Sequence, residues 1–256
     1  SPHRWLGPET SPCPMIEVLD DCSRVIVAAR LYVREILLAY YDLLPRAFQA
    51  YGLPLALYVD YHSFFFSSVP DALTELGWAL QFYGVSFRYA PTPQAKGKIE
   101  RLHQYWQNRL PSFFSLERPA HLEQANEQLD ELRRHHNRQE IHRELGVAPE
   151  TAWARALAEN RSRLRPAPVC PWWPYIWSQR VLVRVGVDGM IPCGTHRIKL
   201  AGAFRLPGTR VMHCTHPDGA ITLLGNTKPV GRPVILYRWE PSPSKKESST
   251  HTKRKV

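Results

Sequence analysis

Asp60 closes the apolar run Leu55-Ala56-Leu57-Tyr58-Val59, and forty positions later Glu100 follows the basic loop Ala95-Lys96-Gly97-Lys98-Ile99. A carboxylate at a strand end and another at a helix start suit metal-dependent phosphoryl transfer on nucleic acid. That chemistry needs hard oxygen ligands for two magnesium ions about 3.5–4 Å apart, one ion activating the attacking hydroxyl and one stabilising the leaving oxygen. Taken alone, the same acids also fit a turn cap at Asp60 and a favourable charge at a helix N-terminus at Glu100. Lys96, Lys98 and Arg101 place phosphate-neutralising charge beside Glu100. Glu100, Gln104 and Gln107 share one helix face, where amide side chains can reach base edges. The competing reading of that face is an ordinary solvated one.

These residues need elements to hold them. Met15 to Leu19 and Val25 to Val33 read as two strands joined by the acidic turn Asp20-Asp21-Cys22-Ser23-Arg24. Helical spacing runs from Arg34 to Tyr51 and ends at Gly52-Leu53-Pro54. Leu55 to Asp60 reads as a buried strand, Val69 to Tyr83 as a helix and Val85 to Ala90 as a short strand. Lys98 to Arg109 reads as a helix with Pro111 just beyond it, and His121 to Asn137 as a polar amphipathic helix. Strands alternating with helices after an opening hairpin predict an α/β domain with a mixed sheet, and ligands of such sheets gather at carboxyl ends of strands, where Asp60 sits. Composition then shifts. Residues 161–178 read as a Pro/Trp linker, residues 179–240 as short strands with Asp188-Gly189 and Pro217-Asp218-Gly219 turns, and residues 241–256 as a disordered basic tail. The short strands predict a small β-barrel.

The 256 residues, 44% hydrophobic, are enough for one large domain or a core with a small companion. A formal charge of +10 favours a polyanionic partner. The five cysteines form no CxxC pair and no zinc-finger spacing, which fits a reducing compartment. No apolar run reaches the roughly 18 residues of a membrane span, and no signal-peptide core is present at the start. The first residue is Ser1 rather than Met, so the chain reads as a fragment or a processed product.

Leu57-Tyr58-Val59-Asp60-Tyr61-His62-Ser63-Phe64-Phe65 together with Pro93-Gln94-Ala95-Lys96-Gly97-Lys98-Ile99-Glu100-Arg101 resembles the integrase catalytic core of DDE transposases, in the insertion-sequence groups whose loop reads PQAKG(K/R)xER. Asp20-Asp21-Cys22-Ser23-Arg24, Gln107-Asn108-Arg109-Leu110, and Asn137 with His142-Arg143-Glu144-Leu145-Gly146 match further motifs of that family. The resemblance covers about residues 1–155. It implies a ribonuclease-H-like fold over 1–115, a helical extension over 116–160, Mg²⁺ or Mn²⁺ as cofactor, and cleavage and joining of DNA. It also implies transposon ends and target DNA as partners, a homo-oligomer on DNA, and a bacterial, nucleoid-associated cytoplasmic setting without membrane attachment. Asp60 matches the second catalytic Asp and Glu100 the catalytic Glu, both metal ligands; Lys96, Lys98, Arg101, Gln104 and Gln107 become DNA contacts. Ser1-Pro2-His3-Arg4-Trp5 fits the end of a D-x-S-x-H-x-W strand, so the first acid falls two positions before Ser1; failing that, Asp20 or Asp21 takes its place. The alternative is a catalytically incomplete remnant that only binds DNA.

Overall fold

The computed structural model describes residues 2–69, 72–168, 170–225 and 233–241; the expected basic tail lies, beyond Pro241, outside the described residues. The chain divides into two compact units, Ser1–Trp173 and Pro174–Val256. The division falls inside the stretch expected as a linker.

In the first unit β1 (Met15–Leu19) and β2 (Ile26–Leu31) form an antiparallel hairpin. Its turn is closed by Asp20, whose carboxylate accepts the Ser23 backbone N–H and hydroxyl, both at 2.7 Å. Arg24 adopts a left-handed φ of 63° there. Helix α1 (Leu37–Tyr51) leads to β3 (Ala56–Val59), and α2 (Glu75–Phe82) leads on to β4 (Ser86–Tyr89), which pairs in parallel with β3. Helix α1 ends at Gly52, whose φ is 93° and where a Cβ would meet the Arg165 carbonyl at 2.8 Å, so the position requires glycine. Helix α2 starts later than the pattern predicts because the Thr74 hydroxyl caps it, accepting the Gly77 N–H at 3.1 Å.

Two expectations need correction. Instead of one mixed sheet, the described residues of this unit form two separate two-stranded ladders, β1–β2 and β3–β4. Strand β3 is also not fully buried: Ala56, Leu57 and Val59 are half-buried and Tyr58 is 52% exposed, and among the described residues β3 pairs only with β4. A third difference concerns α3 (Gly97–Glu117), which continues through Pro111 rather than stopping before it. A proline inside a helix removes one backbone hydrogen bond and costs about 3 kcal/mol. Burial of Leu110 and Phe114 on either side, at 0% and 1% exposure, offsets that loss.

Helix α3 lays Leu102, Trp106, Leu110 and Phe114 against Trp5, Met15, Ile26 and Leu31 of the hairpin side. Helix α4 (Leu122–Gln139) adds Ala125 and Leu129 to this core, and α5 (Pro149–Ala158) follows. Helix α4 also clamps the outer edge of β2. Asn126 bonds the Leu31 N–H at 2.7 Å and its carbonyl at 3.0 Å; Asn137 does the same to Ile26 at 2.9 and 3.0 Å. Eleven helical residues and five strand residues both span about 16–17 Å, so the two amides meet both ends of the strand.

The second unit contains β5 (Gln179–Arg184), β6 (Met190–Cys193), β7 (His196–Lys199), β8 (Arg210–Thr215), β9 (Ile221–Gly225) and β10 (Val234–Trp239). They form a four-stranded antiparallel sheet in the order β10-β9-β8-β5 and a β6–β7 hairpin. Val185, Ile191, Cys193, Val211 and Leu223 form its core. The Asp188-Gly189 and Asp218-Gly219 turns form as predicted, with glycine φ of 70° and 82°. The expected barrel is not closed among the described residues: β5 and β10 end the sheet as edges.

Candidate nucleic-acid-processing site

Asp60 follows the last residue of β3, and its carboxylate caps the next turn by accepting the His62 N–H at 3.2 Å. The other oxygen takes the Lys96 ammonium at 2.8 Å. Lys96 ends a 3₁₀ turn over Pro93–Lys96 that runs directly into α3. This one ion pair therefore ties the strand-end acid to the head of the helix that carries Glu100. Four residues along a helix is about 6 Å. Burial pushes the Asp60 carboxyl upward, but the Lys96 ammonium and the His62 N–H outweigh it and hold the carboxyl below its usual value.

Glu100 lies in the first turn of α3, exposed, and no described residue bonds its carboxylate. Its neighbours are engaged. Lys98 pairs with Asp21 at 2.6 Å, and Arg101 pairs with Glu144 at 2.8 Å while also bonding the Gly97 carbonyl at 3.2 Å. Each of the three basic residues of the loop thus holds a carboxylate from a different part of the chain. Gln104 is exposed and bonds Asn108 at 3.0 Å; Gln107 is half-buried. Gln104 stands on the side of α3 away from its buried stripe, whereas Gln107 borders that stripe. Asp20 is occupied as the acceptor of its own turn.

The donor chemistry suits magnesium in part. Two carboxylates with open solvent access match the way a single magnesium ion is held, completed by waters and phosphate oxygens. Among the described residues, however, no group of three or more His, Cys, Asp and Glu side chains could hold a metal. The described residues thus leave a two-ion centre short of a ligand, and one of the two acids, Asp60, is engaged by Lys96.

Other residues near the site were not evident from their spacing. Glu17 in the middle of β1 is 5% exposed and meets His103 at 2.7 Å, one helical turn from Glu100. Burial pushes the Glu17 carboxyl upward, with His103 pulling it partly back. Glu17 Oε1 and His103 Nε2 are buried without hydrogen-bond partners among the described residues. A lone acid inside the apolar run Met15-Ile16-Glu17-Val18-Leu19 was the available signal. Glu144, which holds both Arg24 and Arg101, stands in the motif His142-Arg143-Glu144-Leu145-Gly146, but nothing in that motif pointed to these pairings. The basic run of α4 is largely internal wiring: Arg133 bonds the Ile26 carbonyl and the Tyr51 hydroxyl, Arg134 pairs with Asp130, and Arg138 pairs with Glu150. Between β1 and β3 lies a cavity of about 310 Å³, lined by Glu17 and Val18 on one side and Leu57 and Tyr58 on the other, with Lys96 and Ile99 among its other walls. Among the described residues no helix is long and apolar enough to cross a membrane.

No family model matches the chain. Residues covering 59% of the chain are 30% identical to 36% of y4bF of Sinorhizobium fredii, a protein named as a transposase. A stretch covering 49% of the chain is 35% identical to 28% of the transposase for insertion sequence IS1202 of Streptococcus pneumoniae. The chain spans about a third of the length of these curated relatives.

Proposed function

We propose that this chain carries the catalytic core of a DDE-type DNA transposase with a ribonuclease-H-like fold, acting in cleavage and strand transfer at transposon ends. The observation that carries the reading is the Lys96–Asp60 pair, which brings the end of β3 to the head of α3 beside an exposed Glu100 that no described residue bonds. The likeness to two proteins named as transposases supports it. Asp60 and Glu100 would hold a magnesium or manganese ion, which when bound supplies Lewis-acid activation of a water or a 3′-hydroxyl. Lys96, Lys98 and Arg101 steer and seat backbone phosphates, releasing their carboxylate partners as they do so. Gln104 and Gln107 extend the contact along α3. Such a protein works on paired DNA ends as a homo-oligomer near the bacterial nucleoid.

A second reading has its own support. With no third acid grouped beside Asp60 and Glu100 among the described residues, the chain as it stands fits a DNA-binding transposase remnant. Incubation of the whole chain with supercoiled plasmid and Mg²⁺ or Mn²⁺ separates the two, alongside duplex binding by fluorescence anisotropy. Nicking abolished by Asp60→Asn and by Glu100→Gln, with anisotropy unchanged, supports the enzyme. Binding without nicking supports the remnant. Failure to bind DNA would sink both.

A further inference from the structure

We infer that the small cavity between the β1–β2 hairpin turn, the head of α3 and the loop of residues 140–148 after α4 is a seat for a phosphate group, built on Arg24 and His142 together with Arg101. The inference rests chiefly on Arg24 and His142, which the proposed chemistry at Asp60 and Glu100 does not use.

The cavity measures about 190 Å³, and Arg24, Lys98, Arg101, His136, His142 and Glu144 supply its polar walls. That volume takes one phosphate group and a few waters, each water needing about 30 Å³. Arg24 is the most sheltered of the three cations. Its side chain is 13% exposed, against 39% for Lys98 and 68% for Arg101. Its backbone holds a left-handed φ of 63°, uncommon for a side chain of this size, fixed by a bond from its N–H to the Asp20 carbonyl at 3.1 Å. A guanidinium so far from water calls for several acceptors. Arg24 has a single long contact, from Nη2 to Glu144 Oε2 at 3.5 Å. Its Nη1 is buried and bonds no described residue, and the same holds for the buried Nδ1 of His142.

Glu144 shows which chemistry fits there. Its one carboxylate spans two arginines, taking Arg101 on Oε1 at 2.8 Å and Arg24 on Oε2 at 3.5 Å. Two cations against one acid leave surplus positive charge. The loop beneath is pinned, because the His142 N–H bonds the Val147 carbonyl at 3.0 Å and the His142 carbonyl accepts the Leu145 and Gly146 N–H groups at 3.0 and 2.9 Å. The Glu144 side chain itself is 46% exposed, so it can swing out to water by rotamer change alone. A carboxylate has two oxygens and cannot meet Arg24, Arg101 and His142 together. A phosphate sets two oxygens on the Arg24 fork and keeps others for Arg101 and His142. The imidazole responds to the same field. Burial and then Arg24 push His142 below its ordinary value, Glu144 pulls it partly back, and Arg101 adds to the push. A seated phosphate opposes the push of both arginines. His136 on the far wall is engaged by Glu140 at 3.2 Å. Inorganic phosphate and a phosphate of a DNA strand share this chemistry.

The test titrates the whole chain with inorganic phosphate at fixed ionic strength, with chloride as the control, and follows the His142 imidazole by NMR. The expected result is a His142 midpoint that rises with phosphate and saturates. Glu144→Gln removes the competing charge and should tighten phosphate about tenfold. Arg24→Lys keeps the charge but loses the fork, and should weaken phosphate by about the same factor. Glu144 is exposed, so its variant keeps the test decidable should Arg24→Lys fail to fold. A midpoint that phosphate moves no further than chloride does, or equal affinity in the variants and the parent chain, means an adventitious ion only and overturns the inference. A short duplex added to the phosphate-saturated chain then identifies the source. Release of free phosphate, read by phosphorus NMR, with the His142 midpoint still raised, assigns the seat to a phosphate of DNA. A duplex that leaves free phosphate bound assigns it to the free anion. Both outcomes support the seat. No readout involves nicking, so failure here and failure of the plasmid assay are told apart.

Discussion

The Lys96–Asp60 pair sets the protonation of the proposed site in the absence of DNA. Without Lys96, only His62 would oppose the effect of burial on Asp60, and its carboxyl would rise. Lys96→Ala is therefore expected to move the Asp60 titration midpoint, followed by carboxyl carbon NMR, upward; an unchanged midpoint would mean that the ammonium does not govern it. A carboxyl depressed in the fold stabilises above its unfolded pKa, and that contribution is lost as pH falls through the folded value. At 46% exposure for Asp60, solvent screens most of it, so the visible change is in the titration rather than in the melting temperature. Glu17 has the opposite sign. Its carboxyl is raised by burial, so ionising it opposes folding, and stability falls as pH climbs from the unfolded value through the folded one. Glu17→Gln should then raise the melting temperature at pH 8 and do little at pH 4. A gain that is the same at both pH values would show that packing, not charge, is responsible.

At the scale of elements, the clamp of α4 on β2 satisfies backbone groups at the outer edge of the hairpin, as a neighbouring strand would. Its two amides are not equivalent. Asn126 is the bonded partner of both the Leu31 N–H and carbonyl, whereas the Ile26 carbonyl held by Asn137 also receives Arg133 at 2.9 Å. Asn137→Ala leaves one buried donor unmet and should cost about 1–3 kcal/mol; Asn126→Ala leaves a donor and an acceptor unmet and should cost more. Urea midpoints compare the two directly, and a larger loss at Asn137 would contradict this account. The clamp also marks where legibility in the sequence ended. Apolar spacing located α1, α3, α4 and the β1–β2 hairpin, because burial of one stripe leaves a period in the residues. The 3.6-residue period said nothing of Asn126 and Asn137, whose role depends on a partner strand about a hundred residues away. Pro111 misled for a related reason, since local backbone chemistry ends a helix there and the tertiary burial of Leu110 and Phe114 continues it. The pairing of strands was the least legible, because apolar alternation identifies a strand but not its neighbour. At the site, motif and charge pointed to Lys96, Lys98, Glu100 and Arg101, while their carboxylate partners Asp21 and Glu144 emerge only from the folded chain.

At the scale of the whole molecule, the head of α3 is where separate parts of the first unit meet through charge: Lys96 holds Asp60 after β3, Lys98 holds Asp21 in the hairpin turn, and Arg101 holds Glu144. If duplex phosphates displace these carboxylates, as the proposed reading requires, DNA affinity should fall steeply with salt. Lys98→Ala and Arg101→Ala should then each weaken binding and reduce the slope of log affinity against log salt by about 1. Fluorescence anisotropy over a salt series reads both quantities, and slopes unchanged in both variants would mean that the head of α3 does not seat phosphates.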